Sequence, residues 1–163
     1  MRNNCGHPSP EDLLIKTYLE HANLHVENVD RMLEFISTAL PDFGIRFDSG
    51  KNDPERWVHI GNEDFYLAVY QSSAQSQNGK APYDGRPGIN HLGFVVADVE
   101  TVRQGLTQAG FIETTITNDH PARHRIYFND AEGNDWEFVQ YLTEDRKQRN
   151  DYLQEMAVGL IDR

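Results

Sequence analysis

His21-Ala-Asn-Leu-His-Val-Glu-Asn-Val-Asp30 and His91-Leu-Gly-Phe-Val-Val-Ala-Asp-Val-Glu100 are two versions of one phrase, offset by 70 positions (91 minus 21). Each opens on a histidine, runs through a short apolar segment of strand character, and leads into a helical pattern. Asn28-Val29-Asp30 opens the first helix, in which Met32, Leu33, Phe35, Ile36, Ala39 and Leu40 recur on one stripe until Pro41 ends it. Val99, Val102, Leu106 and Ala109 form the corresponding face of the second helix.

Three strands follow each helix: Ile45-Arg46-Phe47, Trp57 to Ile60 and Phe65 to Tyr70 in the first copy, then Phe111 to Thr117, Arg125 to Phe128 and Asp135 to Tyr141 in the second. Glycine, proline and asparagine separate them. The predicted fold is α+β: two tandem βαβββ modules, 19–72 and 89–142. Residues 1–18 are read as a tail plus a short helix capped at Ser9-Pro10, and 143–163 as a charged C-terminal helix opened by Thr143-Glu144-Asp145. A polar stretch over 71–88 reads as a linker or a loop over a site.

Bulk composition narrows the function. The chain has 163 residues, 38% hydrophobic and 25% charged, which describes a soluble globular domain. A net charge of −11 argues against nucleic acid, whose phosphates require a basic stripe. The apolar runs are too short to span a bilayer. A single cysteine, Cys5, fits a reducing cytoplasm. One small basic spot, Arg123-His124-Arg125, is a candidate anchor for an anionic substrate.

Alternation along a strand puts His21 and His25 on one face of the first strand, and His91 on the corresponding face of the fifth. Glu137 shares a face with Asp135 and Val139. If the modules face each other, His21, His91 and Glu137 converge as two imidazoles and one carboxylate. Such a facial set leaves positions open for substrate and oxygen and suits Fe(II), with Mn, Zn or Ni as other occupants. The 70-residue offset places Leu67 where the second copy has Glu137, and Trp57 where it has Tyr127.

Paired modules with these histidines and this glutamate resemble the vicinal oxygen chelate superfamily, which includes glyoxalase I, type I extradiol dioxygenases, methylmalonyl-CoA epimerase and the fosfomycin- and bleomycin-resistance proteins. Residues 118–137, from Asn118-Asp119-His120 through Ile126-Tyr127 and Asp130-Ala131-Glu132-Gly133 to Glu137, are similar to the extradiol ring-cleavage signature, departing from it at Ala131. The resemblance implies that the two modules form a curved mixed sheet around a shared metal cleft, with catalytic roles for His120 and Tyr127 at a bound catecholate and a metal-ligand role for Glu137. His25, Trp57, His59 and Arg125 are the candidate pocket residues. A small chelating molecule as substrate and a homodimer as the working state are expected.

The leading expectation is therefore an extradiol-type dioxygenase. A metal-dependent isomerase, epimerase or lyase stands second, and a metal-free binding protein of the resistance type third. Leu67, which can neither ligate nor take a proton, weighs against glyoxalase chemistry.

Overall fold

The computed structural model describes residues 17–73, 89–116 and 120–151. The expected N-terminal helix, most of the linker, Asn118 and the C-terminal helix beyond 151 lie outside them. The first module runs β1 (His21–Val26), α1 (Val29–Ala39), β2 (Gly44–Asp48), β3 (Trp57–Gly61) and β4 (Tyr66–Gln71). The second runs β5 (His91–Val95), α2 (Val99–Gln108), β6 (Ile112–Glu113), β7 (Arg123–Asn129) and β8 (Asp135–Tyr141), followed by a short α3 (Arg146–Arg149).

Each module builds its own four-stranded mixed sheet, in the orders β1-β4-β3-β2 and β5-β8-β7-β6. The first strand of each lies parallel to the last, while the others pair antiparallel. The helix supplies the crossover that moves the chain away from its first strand before the remaining strands build back to it. Both helices start as their sequences dictate. Asn28 accepts from the Arg31 N–H at 3.0 Å, and Asp98 accepts from the backbone N–H groups of Glu100 and Thr101.

β6 is two residues long, where seven were expected. Ile112 and Glu113 are both exposed, so little packing extends the pairing of this edge strand. The last helix begins at Asp145, whose side chain accepts from the Lys147 N–H at 2.9 Å.

Alternation gives each sheet two unlike faces. Leu67, Val69, Val58 and Ile60 in the first module, and Trp136, Phe138, Ile126 and Phe128 in the second, all belong to one continuous core. Phe35 of α1 joins the halves, with ring centroids 4.9 Å from Phe111 and 5.2 Å from Trp136. Polar ties reinforce the junction. The Arg31 guanidinium donates to the Ala109 carbonyl at 2.8 Å, and the Glu132 carboxylate accepts from the Glu27 N–H at 2.8 Å, just before α1. The opposite, open face of each sheet points away from this shared core.

The repeat is not gapless. β4 and β1 pair with His21 opposite Tyr66 and Asn23 opposite Ala68, whereas Gly93 lies opposite Glu137. His21 and His91 keep the 70-residue offset, but Glu137 therefore corresponds to Ala68, an offset of 69. Leu67 is fully buried on the core face, in the place of Trp136. On the neighbouring strands His59 lies opposite Ala68 and Tyr127 opposite Glu137, so the counterpart of Tyr127 is His59, and Trp57 matches Arg125. These two assignments correct the sequence reading. Loop-length differences after the helices and in the turn before the last strand shift the register, and a one-residue slip carries a side chain to the other face.

A charged knot closes the end of the first module. Arg56, 7% exposed, donates to the Asp48 carboxylate at 2.7 and 3.0 Å and to Asp30 at 2.8 Å. Its guanidinium, aided by the Gly50 N–H, holds Asp48 below the usual carboxylate range; Arg56 and then Lys51 do the same for Asp30. Depressed carboxyl pKa values stabilise the fold above the ordinary value of 3.8, and that contribution disappears as pH falls through the lower folded-state values. Arg56→Met is accordingly expected to lower the denaturation midpoint most near pH 7. Its gap from wild type should narrow below pH 4, as read by urea titrations across that range.

Candidate metal site

β5 and β8 bring His91 and Glu137 together on the open face of the second sheet. His91 Nε2 lies 3.2 Å from Glu137 Oε2. Adjacent donors on one ion at metal–ligand distances of about 2.0–2.2 Å are separated by roughly that much, so the pair fits two neighbouring positions of a single coordination sphere. The other ring nitrogen is already committed: His91 Nδ1 lies 2.8 Å from Asn90 Oδ1, an acceptor only. In the tautomer that donates Nδ1–H to Asn90, Nε2 is the ring nitrogen turned toward the Glu137 carboxylate and could share an ion with it.

The first module repeats the device. His21 Nδ1 is hydrogen-bonded to the Glu20 carboxylate, leaving Nε2 as the basic nitrogen. Asn90-His91 and Glu20-His21 are the same acceptor-histidine pair, a feature of the repeat that the sequence reading overlooked.

Gly93 was overlooked as well. It stands beside Glu137 in the register, and a Cβ built there would lie 3.3 Å from Glu137 Oε2. Glycine thus gives the carboxylate room to lean across β5 toward His91. Gly93→Val is expected to push it away and weaken divalent-metal affinity about 10- to 100-fold, the scale of lost ligand orientation, as measured by competition with a chromogenic chelator.

Tyr127 stands next to this pair, its hydroxyl donating to Glu137 Oε1 at 2.7 Å. Arg125 Nη1 is 3.7 Å from the same oxygen. A carboxylate held on one oxygen by a phenol and a guanidinium leaves its other oxygen facing His91.

The remaining candidates fall elsewhere. His120 is 5% exposed, with Nδ1 accepting from the Ala122 N–H at 3.1 Å and Nε2 2.8 Å from the Asp151 carbonyl. It bridges to Arg123 at the far end of β7 from Tyr127, and there it anchors the chain that follows α3. Arg123 serves the same junction, donating to the Arg149 carbonyl at 2.8 Å. Asp130 and Gly133, part of the signature-like stretch, shape a turn. Asp130 accepts from Trp136 Nε1 at 2.9 Å and from the backbone of Glu132 and Asn134, and Gly133 has a φ of 81°.

His21, His25, Trp57 and His59 share the open face of the first sheet. Two rows of rings cross it. Phe47, Trp57, Tyr70 and His25 stack at centroid distances of 4.4, 5.8 and 5.6 Å, and His59, Tyr66 and His21 at 4.6 and 5.0 Å. Within one chain this face and that of His91 and Glu137 point away from the common core. Among the described residues, no group of three His, Cys, Asp or Glu side chains is placed to hold a metal ion.

A cavity of about 370 Å³ lies where the modules meet, lined by Phe43, Phe65, His91, Gly93, Phe94 and Val95 among others. None of the described helices is long and apolar enough to cross a membrane.

Relatives share this architecture. A glyoxylase/bleomycin resistance protein/dioxygenase domain from Frankia sp. EAN1pec superposes with a TM-score of 0.58 at 20% identity, covering 78% of this chain and 99% of that one. The fosfomycin resistance protein FosX from Listeria monocytogenes gives 0.62 at 12% identity, over 83% and 99%. TioX from Micromonospora sp. ML1 gives 0.55 at 18% identity, over 77% and 100%. No curated protein is significantly similar to the chain. Residues 18–138 match the family model of the Glyoxalase/Bleomycin resistance protein/Dioxygenase superfamily, and with its two βαβββ modules the chain belongs to that superfamily.

Proposed function

We propose that the protein is a metal-dependent enzyme working as a homodimer, in which His21 of one chain completes the His91–Glu137 pair of the other. The observation that carries this reading is the 3.2 Å approach of an imidazole nitrogen to a carboxylate oxygen, each oriented from behind by its own hydrogen bonds. Support for a second copy comes from the uncovered surfaces. β1 and β5 end their sheets, Val95 is 67% exposed, and the ring rows of the first sheet face outward. Laying the first sheet of one chain against the second sheet of another covers these surfaces and brings the three ligands to one cleft. A closed twofold pairing gives two such clefts.

A divalent ion held there, Fe(II) first with Mn(II), Zn(II) or Ni(II) as alternatives, would supply Lewis acidity to two neighbouring oxygens of a small substrate. Tyr127 and Arg125 position the Glu137 carboxylate, and the aromatic wall of the partner module suits a planar ring. Ala68 removes the fourth ligand and base that an isomerase of the glyoxalase kind would need. We therefore read the reaction as extradiol-type cleavage of a catechol-like compound.

In the described fold His120 is a structural tie; taking part in the reaction would require it to leave Ala122 and Asp151. The deciding experiment loads the protein anaerobically with each ion, counts bound metal per chain, and then supplies air and a panel of catechols. About one Fe(II) per chain and a yellow ring-opened product are expected. Bound iron without turnover on any catechol overturns the ring-cleavage reading, and no bound metal overturns the site.

A further inference from the structure

We propose that the cavity between the modules binds a small organic cation, an aromatic amine with one ring and a short chain. Such a site goes beyond the metal reading above and asks nothing of a bound ion or of a second chain. The cavity forms within one chain and holds about 370 Å³. Ligand pockets run from about 300 to 1,000 Å³, so this one suits a single ring rather than a fused system.

Three phenylalanines make its wall. Phe43 follows α1, Phe65 precedes β4, and Phe94 lies on β5. The Phe43 and Phe65 centroids are 6.2 Å apart, and Phe94 lies 6.1 Å from the first at 83° and 5.6 Å from the second at 66°. Trp136 backs Phe94, stacked on it at 5.6 Å, so the wall is anchored in the core that joins the modules. A fourth ring enters such a set in the tilted arrangements that aromatic pairs prefer, and an ammonium beside it meets the negative ring faces.

The polar lining adds acceptors for that ammonium. Asp42 contributes a carboxylate, which accepts from Asn62 Nδ2 at 2.8 Å. Asn62 is itself fixed, its Oδ1 accepting from the N–H groups of Asp64 and Phe65 at 3.1 Å. Gly93 has no side chain and lines the cavity with its main chain. The Val96 N–H turns to the Val139 carbonyl at 2.9 Å, so alternation turns the main-chain groups of Gly93 and Val95, carbonyls included, to the free edge of β5.

Little positive charge opposes a cation there. Among the described residues no lysine or arginine lines the cavity, and the ring nitrogens of His91 are directed to Asn90 and Glu137. Arg46 donates to the Asn62 carbonyl, but its guanidinium lies over the Tyr66 ring, 4.8 Å from the centroid, and is not part of the lining. The chain as a whole carries a net charge of −11, which favours a cation over an anion at its surface.

The probe is 2-phenylethylamine, cationic at neutral pH, titrated calorimetrically into the full-length protein after treatment with a chelator. The neutral and anionic analogues are 2-phenylethanol and 3-phenylpropanoate. About one amine per chain is expected, with a dissociation constant of about 1 mM or tighter and a preference of about tenfold or more over both analogues. Asp42→Asn keeps an acceptor for Asn62 and should weaken the amine about tenfold while leaving the alcohol unchanged. Asp42 is exposed, so an unchanged denaturation midpoint is expected to show that this variant folds. Bound amine should also shift the amide NMR signals of Gly93 and Phe65.

An affinity for the alcohol equal to or above that for the amine overturns the proposal, as does amine binding by Asp42→Asn within about twofold of wild type. No saturation by any of the three compounds, or shifts confined to the sheet face around Tyr127, overturns the cavity as the site. The His91–Glu137 reading stands or falls separately, on bound metal.

Discussion

A one-to-one mixture of Glu137→Ala and His21→Ala chains, unfolded and refolded together, is expected to bind about a quarter of the metal held by wild type, while either variant alone binds essentially none. Half of the refolded dimers are mixed, and each mixed dimer contains one cleft with His21 from the first variant and His91 with Glu137 from the second. Its other cleft lacks both residues. If instead all three ligands came from one chain, every cleft in the mixture would lack a ligand and the recovered binding would be nil. Equilibrium dialysis against Zn(II) or Mn(II) separates the outcomes without knowledge of the substrate. The arrangement of faces motivates the prediction: within one chain His21 has a side chain 47% exposed and belongs to a sheet face turned away from the core that carries His91 and Glu137 on its other side.

The largest effect on stability is expected at Phe35. Phe35→Ala removes a fully buried ring that touches Phe111, Trp136 and Phe138 of the second module from a helix of the first. Truncation of a buried phenylalanine costs about 3–5 kcal/mol, counting both the lost transfer energy and the cavity left behind. Here the cavity opens at the junction between the modules, where neither sheet can collapse to fill it without disturbing its own strand pairing. Denaturant unfolding should show the full loss. A cost below about 1 kcal/mol would mean that the modules are held together elsewhere. Ala39→Gly, also in α1 and fully buried, removes only a methyl group and should cost far less.

The two predictions divide along a line visible in the sequence. The two modules, the helix stripes and the faces of the strands follow from periodicity alone, because a side chain's burial in a strand or helix repeats with the backbone geometry. His21, His91 and Glu137 could be named as candidates because histidine and glutamate on open strand faces carry few other signals. Register between strands was not legible. Loop length sets it: the second module is two residues shorter before β7 and one residue longer in the β7–β8 turn, which made Leu67 look like the partner of Glu137 when Ala68 holds that place. The two-residue displacement on the preceding strand hid His59 behind Trp57.

Motif likeness had its own limit. Asp130 and Gly133 sit in a pattern associated with ring cleavage, yet the contacts they make here build a turn and fix Trp136. His120 likewise fits the pattern and is tied by both ring nitrogens to backbone. A linear motif records which residue types recur, and it does not say whether they meet a substrate or support the strand that does.

The sequence by itself determined the repeated module, its α+β character and which residues to propose as ligands, since these depend on local periodicity and on side-chain chemistry. Only the tertiary structure decided which residue of one module matches which of the other, that Asn90 and Glu20 orient the histidines, and that Gly93 makes room for Glu137. It alone shows that the two ligand-bearing faces of a single chain turn outward. Those properties belong to pairings between distant strands and to packing of helices between sheets, where a one-residue loop difference changes the answer while leaving every local pattern intact.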